Sequence, residues 1–318
     1  MLTGPIATSL DVTDLRRVFD ALRHQVVGLA TESDMSAMKR VGVHHMTGGR
    51  NNPIFGCTID GQRVCIKLHK TDGRQRDRRE WEALSVLAAS HPAVSPLPIG
   101  YEPEAQPAMA IELLPGTGLG HHHLTADQVR ALVAVNREVH AVTPEHVGPA
   151  ELLPARLTDD GMLTQVQSFF TGAIDLRTSL RDEMYARWSA WTTGTDPKVL
   201  AEPIQPILGQ GEPNLTNCLW DGERFRLIDW EYAGWSNQPY ELALLVEHVQ
   251  SRETPDDTWQ SFLDLSGLTA SGHRRTLAAR RLVAWFWLVT FWPTGQDDDE
   301  RFEAQARRVS QVLNEPER

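Results

Sequence analysis

Cysteine is scarce in this chain: Cys57, Cys65 and Cys218 are the three among 318 residues. They lie in apolar, strand-like contexts without metal-ligand spacing. That excludes a disulfide scaffold and a cysteine-built metal site, and leaves buried, reduced thiols. Long apolar runs are missing too. The longest, 282–292, is too short to span a bilayer and reads as a core helix. Residues 1–10 lack the basic stretch and apolar segment of a secretory signal, so a cytoplasmic protein without a membrane partner is expected. Basic charge is in deficit. The formal net charge of −11 runs against a nucleic-acid binder, which needs a basic surface. No internal repeat and no low-complexity segment interrupts the chain, whose length suits one large or two medium domains.

What is present changes character part-way along. Leu15, Val18, Phe19, Leu22 and Val26 have helical spacing within 11–29. Strand patterns follow at 41–46, 53–59 and 63–68, the last two separated by Asp60-Gly61, a hairpin signal. A charged stretch, 72–79, leads into a helix carrying Trp81, Leu84, Val86 and Leu87. Residues 92–98 are punctuated by prolines, and the apolar run 109–114 ends at Pro115-Gly116. Three glycines in 116–120 mark a domain junction. Beyond it helical patterns dominate: 125–142 with Thr125 as N-cap, 163–180, 181–191, 240–251, 258–265, 274–291 and 297–313. The expected fold class is α+β, with an N-terminal lobe (1–115) of sheet plus helix and a larger, mainly helical C-terminal lobe (116–318).

Chemistry concentrates in 209–233. The short apolar runs 218–220 and 225–228 flank Asp221-Gly222, which predicts a hairpin. Folding it gathers Glu212, Asn217, Asp229 and Glu231, oxygen-bearing side chains of the kind that hold Mg²⁺. Upstream, Gly48-Gly49 between two strand patterns lets backbone N–H groups approach a phosphate. Lys67 stands in an apolar strand, and Glu80 on the next helix is placed to pair with it and hold it against nucleotide phosphates. The triplet His121-His122-His123 is not read as a metal site, because adjacent residues cannot all face one ion.

In this order the segments resemble the kinase-like fold, specifically the aminoglycoside phosphotransferase and choline kinase group, from about residue 41 to about 243. The likeness rests on G-G-R-N-N-P-I-F, I-K-L with R-R-E-W-E-A-L, M-A-I-E-L-L-P-G, V-N-R-E-V-H ending at His140, and I-D-W-E-Y-A-G-W-S-N-Q-P-Y-E-L-A. The resemblance implies a bilobal protein-kinase-like fold and a nucleotide loop at Gly48, Gly49, Arg50 and Asn51. It implies Lys67 and Glu80 at the phosphates, and a hinge at Glu112 and Leu114 whose backbone bonds the adenine. It implies Asn217 and Asp229 on Mg²⁺, and Glu212 as the catalytic carboxylate.

Three positions depart from the group's pattern. Its histidine-glycine-aspartate reads Gln210-Gly211-Glu212 here, and an aspartate after the metal segment reads Asn237. The resemblance therefore implies an ATP- (or GTP-) and Mg²⁺-dependent kinase acting on a hydroxyl of a small, amine-bearing molecule, in antibiotic resistance or biosynthesis. The alternative is a nucleotide-binding pseudokinase that transfers nothing. The amine would be met by Glu231 and by the aromatic faces of Trp235 and of Trp285 or Trp287, although the spacing of 284–289 fits a core helix better.

Overall fold

Alternation along two strands decides where the first functional side chain points. The computed structural model describes residues 12–316, apart from 48–51, 104–105, 121–122, 148–151, 173, 175, 177 and 296. Helix α1 (Val12–Val26) buries Leu15, Val18, Phe19 and Leu22, and α2 (Glu32–Arg40) opens with a capping box between Thr31 and Asp34. Then come β1 (His44–His45), β2 (Ile54–Ile59), β3 (Gln62–Leu68), helix α3 (Arg76–Ser90), β4 (Pro98–Glu102) and β5 (Ala108–Glu112). These strands form one antiparallel sheet in the order β1-β2-β3-β5-β4. Asp60 and Gly61 both take positive φ, 50° and 78°, which closes the β2–β3 hairpin in two residues.

Val64, Ile66 and Leu68 pack against α1, while Cys65 belongs to the core on the α3 side. Side chains alternate faces along a strand, so Lys67 shares the α3 side with Cys65. The expected strand at 41–46 shrinks to His44–His45, because Val41 and Gly42 end α2 in a turn. The proline-punctuated 92–98 leads into β4, an edge strand, where a proline at the first position removes no ladder bond.

The remaining chain is mainly helical: β6 (Thr117–Gly118), α4 (Ala126–His140), α5 (Pro144–Val147), α6 (Asp159–Thr171), α7 (Ser179–Thr192) and α8 (Asp196–Leu200) lead to the strands around the site. Those are β7 (Ile207–Gly209), β8 (Cys218–Trp220), β9 (Phe225–Leu227) and β10 (Gly234–Ser236). Helices α9 (Gln238–Glu247), α10 (Asp256–Leu265), α11 (Ala270–Thr290) and α12 (Glu300–Leu313) follow. Thr125 caps α4 with Gln128 as its capping-box partner. The single helix pattern expected at 163–180 does not run through. Thr158 starts α6 earlier, Gly172 ends it, and Thr178 caps α7 separately.

Strands β7 and β10 pair antiparallel, and β6, β8 and β9 form a three-stranded sheet. The result is a small antiparallel-sheet lobe and a larger helical one, the α+β kinase-like architecture. One apolar cluster runs through both. It joins Cys65, Trp81, Leu84 and Met109 to Leu132, Val139, Phe225 and Trp230. A second core, around Phe170, Trp188, Trp285 and Phe302, is purely helical. Among the described residues no helix is long and apolar enough to cross a membrane.

Candidate active site

Helix α3 sets two charged groups on one face, because Arg76 and Glu80 are four residues apart. Glu80, fully buried, accepts a hydrogen bond from Lys67 Nζ at 2.5 Å through its Oε1. Lys67 Nζ also donates to Asp229 Oδ1 at 3.2 Å. Burial works against the Lys67 charge, but Glu80 and Asp229 outweigh it and hold the ammonium above the usual lysine range. One turn away, Arg76 Nη1 donates to Glu231 Oε1 at 2.7 Å. Asn52, at the entrance to β2, donates to Glu231 Oε2 at 2.7 Å. Glu231 is thus buried and engaged at both oxygens, a tie between lobes.

The segment 209–233 folds as a frame around this junction. The turn between β8 and β9 is closed by Asp221 N donating to Arg224 O at 3.3 Å, with Gly222 at φ 106°. Asn214 Oδ1 accepts from the backbone of Thr216 and Asn217, which fixes the short 3₁₀ turn Leu215–Asn217. Ile228 N donates to Asn217 O at 2.9 Å, so the backbone beside Asp229 is bonded to Asn217. Asp229 itself takes φ 65°, a left-handed conformation that aspartate tolerates better than most side chains. Its carboxylate is 39% exposed, and the Asn217 side chain makes no hydrogen bond among the described residues.

One carboxylate and one free amide suit Mg²⁺, which takes few protein ligands and completes its shell with water and phosphate oxygens. Among the described residues no group of three histidine, cysteine or acidic side chains is placed to hold a metal. Gln210 fills the position of the group's histidine by donating from Nε2 to Ile228 O at 2.6 Å. Gly211 N donates to Glu241 Oε2, on α9, at 3.2 Å. Asn237 caps α9 through Tyr240 N and donates to Asp159.

Glu212 faces a cleft of about 220 Å³. Burial, then the charges of Asp229 and Glu231, push its carboxyl up to about 7. Tyr232, Gly211 and Pro213 form the floor beside it. Leu157, Met162, Leu244, Phe286 and Trp287 form an apolar wall. Arg74, Arg156, Gln165 and His248 complete the lining. His248 is buried and its pKa is lowered to about 4, so it is neutral. Its Nδ1 accepts from Gln250 N at 3.2 Å, which leaves the proton on Nε2.

Residues 44–282 match the phosphotransferase enzyme family (APH). The chain belongs to that family. Among solved structures it is similar to a choline/ethanolamine kinase family protein from Mesorhizobium loti, with a TM-score of 0.61 at 16% identity, over 94% of this chain and 96% of that one. It is similar to the macrolide 2′-phosphotransferase from Brachybacterium faecium, with a TM-score of 0.56 at 19% identity, over 90% and 98%. A spectinomycin phosphotransferase solved with ADP and spectinomycin aligns with a TM-score of 0.53 at 14% identity, over 86% and 90%. At these identities the likeness is one of fold. No curated protein matches the chain.

The structure brings Lys67, Glu80, Asp229 and Glu231 together, with Asn217 bonded alongside and Glu212 within their electrostatic reach. Glu112 ends β5, and its carboxylate pairs with Arg226 at 3.1 Å. Leu114 N–H makes no hydrogen bond among the described residues. Gly48, Gly49, Arg50 and Asn51 lie outside the described residues, as do His121 and His122. Trp285 is fully buried in the helical core against Phe170 and Trp188, so its expected place at an acceptor is corrected. Trp235 sits in β10 and does not line the cleft, whereas Trp287 does. Arg76 and Arg156 escaped the sequence reading. Spacing from Glu80 could have found Arg76; nothing local marks Arg156.

Proposed function

We propose that this phosphotransferase moves the terminal phosphoryl group of ATP or GTP, with Mg²⁺, onto a hydroxyl of a small molecule seated in the cleft before Glu212. The observation that carries this reading is that one short frame, β7 to β10, presents Glu212 to an open cleft and Asp229 to the buried Lys67–Glu80 pair. Donor and acceptor groups are thereby addressed from two sides of the same loop. In this reading Lys67, steadied by Glu80, orients the nucleotide phosphates, and the Leu114 N–H with the Glu112 carbonyl reads the base. Asn217 and Asp229 hold Mg²⁺, which when bound supplies positive charge to the phosphate oxygens. Glu212 receives the proton of the attacking hydroxyl as its oxygen bonds to phosphorus and the nucleoside diphosphate leaves. A carboxyl raised to about 7 is matched to that task at neutral pH. Residues 1–115 then bind the nucleotide, and 116–318 carry the catalytic hairpin and the acceptor site. The ADP bound in the spectinomycin phosphotransferase structure supports the nucleotide part of the reading.

The test is ADP release in the presence of ATP, Mg²⁺ and a panel of hydroxylated small molecules. Acceptor-dependent release is expected. Glu212→Gln should lower kcat/KM by about a hundredfold or more while leaving ATP affinity unchanged. Tight ATP binding without transfer to any acceptor would replace this reading with that of a nucleotide-binding module.

A further inference from the structure

The cleft before Glu212 has the wrong charge for an amine. Among its described lining residues only Glu212 is acidic, and Arg74 and Arg156 are basic. Arg156 is exposed, and its side chain has no hydrogen-bond or ion-pair partner among the described residues. Arg74 is bound only loosely to Asp72, at 3.4 Å, and Asp72 is shared with Arg76. Arg79 lies close enough to feel the Arg156 charge, and spends its N–H groups on the neutral carbonyls of Arg74, Pro154 and Ala233. Four guanidinium groups, of Arg74, Arg76, Arg79 and Arg156, therefore stand against three carboxylates, Asp72, Glu212 and Glu231. The excess positive charge borders the same opening as the apolar wall of Leu157, Met162, Phe286 and Trp287. A protonated amine entering there meets repulsion. Of the tryptophans that an amine would have used, Trp235 and Trp285 lie elsewhere, and Trp287 belongs to the apolar wall.

We propose that the acceptor is a largely apolar alcohol carrying a carboxylate, with the carboxylate on Arg156 and Arg74, the apolar body on Met162, Phe286 and Trp287, and the hydroxyl at Glu212. This rests on the reading of Glu212 as the reacting end of the cleft. Arginine is suited to the role because its planar fork matches a carboxylate in two hydrogen bonds. An unpartnered guanidinium at the rim also steers an anion inward before contact.

The test uses three matched compounds: tropate (3-hydroxy-2-phenylpropanoate), its carboxamide, and 3-amino-2-phenylpropan-1-ol. Each is titrated into the intact protein without nucleotide, followed by ligand-observed NMR. Tropate should bind roughly tenfold more tightly than the amide, with the amine weakest. Arg156→Gln should erase the preference, and Arg156→Glu should turn it toward the amine, with circular dichroism confirming that both variants fold. Equal or tighter binding of the amine by the unaltered protein overturns the proposal, as does undetectable binding of tropate. So does a preference that survives both substitutions. A loss of ATP–Mg²⁺ affinity in Arg156→Gln with tropate binding intact also overturns it, since the guanidinium would then serve the donor phosphates. Failure of the unaltered protein to bind ATP–Mg²⁺ would sink the phosphotransfer reading alone, because the tropate comparison needs no nucleotide.

Discussion

Glu212 is held in conflict with its surroundings. Its ordinary value is 4.5, and burial with two neighbouring carboxylates pushes it to about 7. Between those values the folded protein keeps a proton that the unfolded chain has lost. Stability contributed at this site is therefore present at low pH and falls as pH rises through the window. Glu212→Gln removes the penalty. The substituted protein should melt at a higher temperature than the unaltered one near pH 8, and the gap should close near pH 5. Thermal scans of both proteins across that range check it; a gap independent of pH would mean that Glu212 titrates normally. Gln210, where the group carries a titratable imidazole, adds nothing to this dependence, because its amide donates to Ile228 O at any ordinary pH.

At the scale of elements, the loop bearing Glu212 is fixed by the Gln210 and Asn214 side chains and by a close backbone approach at Gly211. Gly211 has φ 79°, and a Cβ there would run into the Tyr232 carbonyl oxygen. Gly211→Ala should cost about 1–3 kcal/mol and displace Glu212, so transfer should fall far more than ATP affinity. Paired measurements of kcat and nucleotide Kd decide this, and an unchanged kcat would show that the loop is not set by that contact. Much of the frame was legible in sequence. Asp60-Gly61 and Asp221-Gly222 marked their turns because positive φ has a residue signature, and Thr125 marked the start of α4 for the same kind of local reason. The Lys67–Glu80 pair was legible because strand and helix periods constrain both residues. Contacts without a local period were not. Asn52 meets Glu231 across 179 residues, and the pairing of β7 with β10 joins three-residue strands too short to show alternation. The aromatic spacing of α11 did not reveal that Trp285 faces the core while Trp287 faces the cleft, since both are apolar and two positions apart.

For the whole molecule, the two lobes are joined by more than a hinge. Arg76 and Asn52 reach Glu231, Arg226 reaches Glu112, and Leu227 N donates to Val94 O at 2.7 Å. Arg76 and Glu231 are both buried, so Arg76→Ala takes the guanidinium at Oε1 away from a buried carboxylate. The expected loss is about 3 kcal/mol or more, read from urea unfolding. Tryptophan fluorescence and far-UV circular dichroism should give one coincident transition in the unaltered protein, because the cluster joining Trp81 and Met109 to Leu132 and Trp230 unfolds as a unit. Two separated transitions would show that the lobes unfold independently.

That shared cluster also bears on how the protein is made. Translation delivers Cys65, Trp81, Leu84 and Met109 long before Phe225 and Trp230 exist to cover them. The sheet lobe leaves the ribosome with an uncovered apolar face, and waits through more than a hundred further residues for the β8–β9 hairpin to arrive. During that interval the nascent chain is a natural client for chaperones that bind apolar surface.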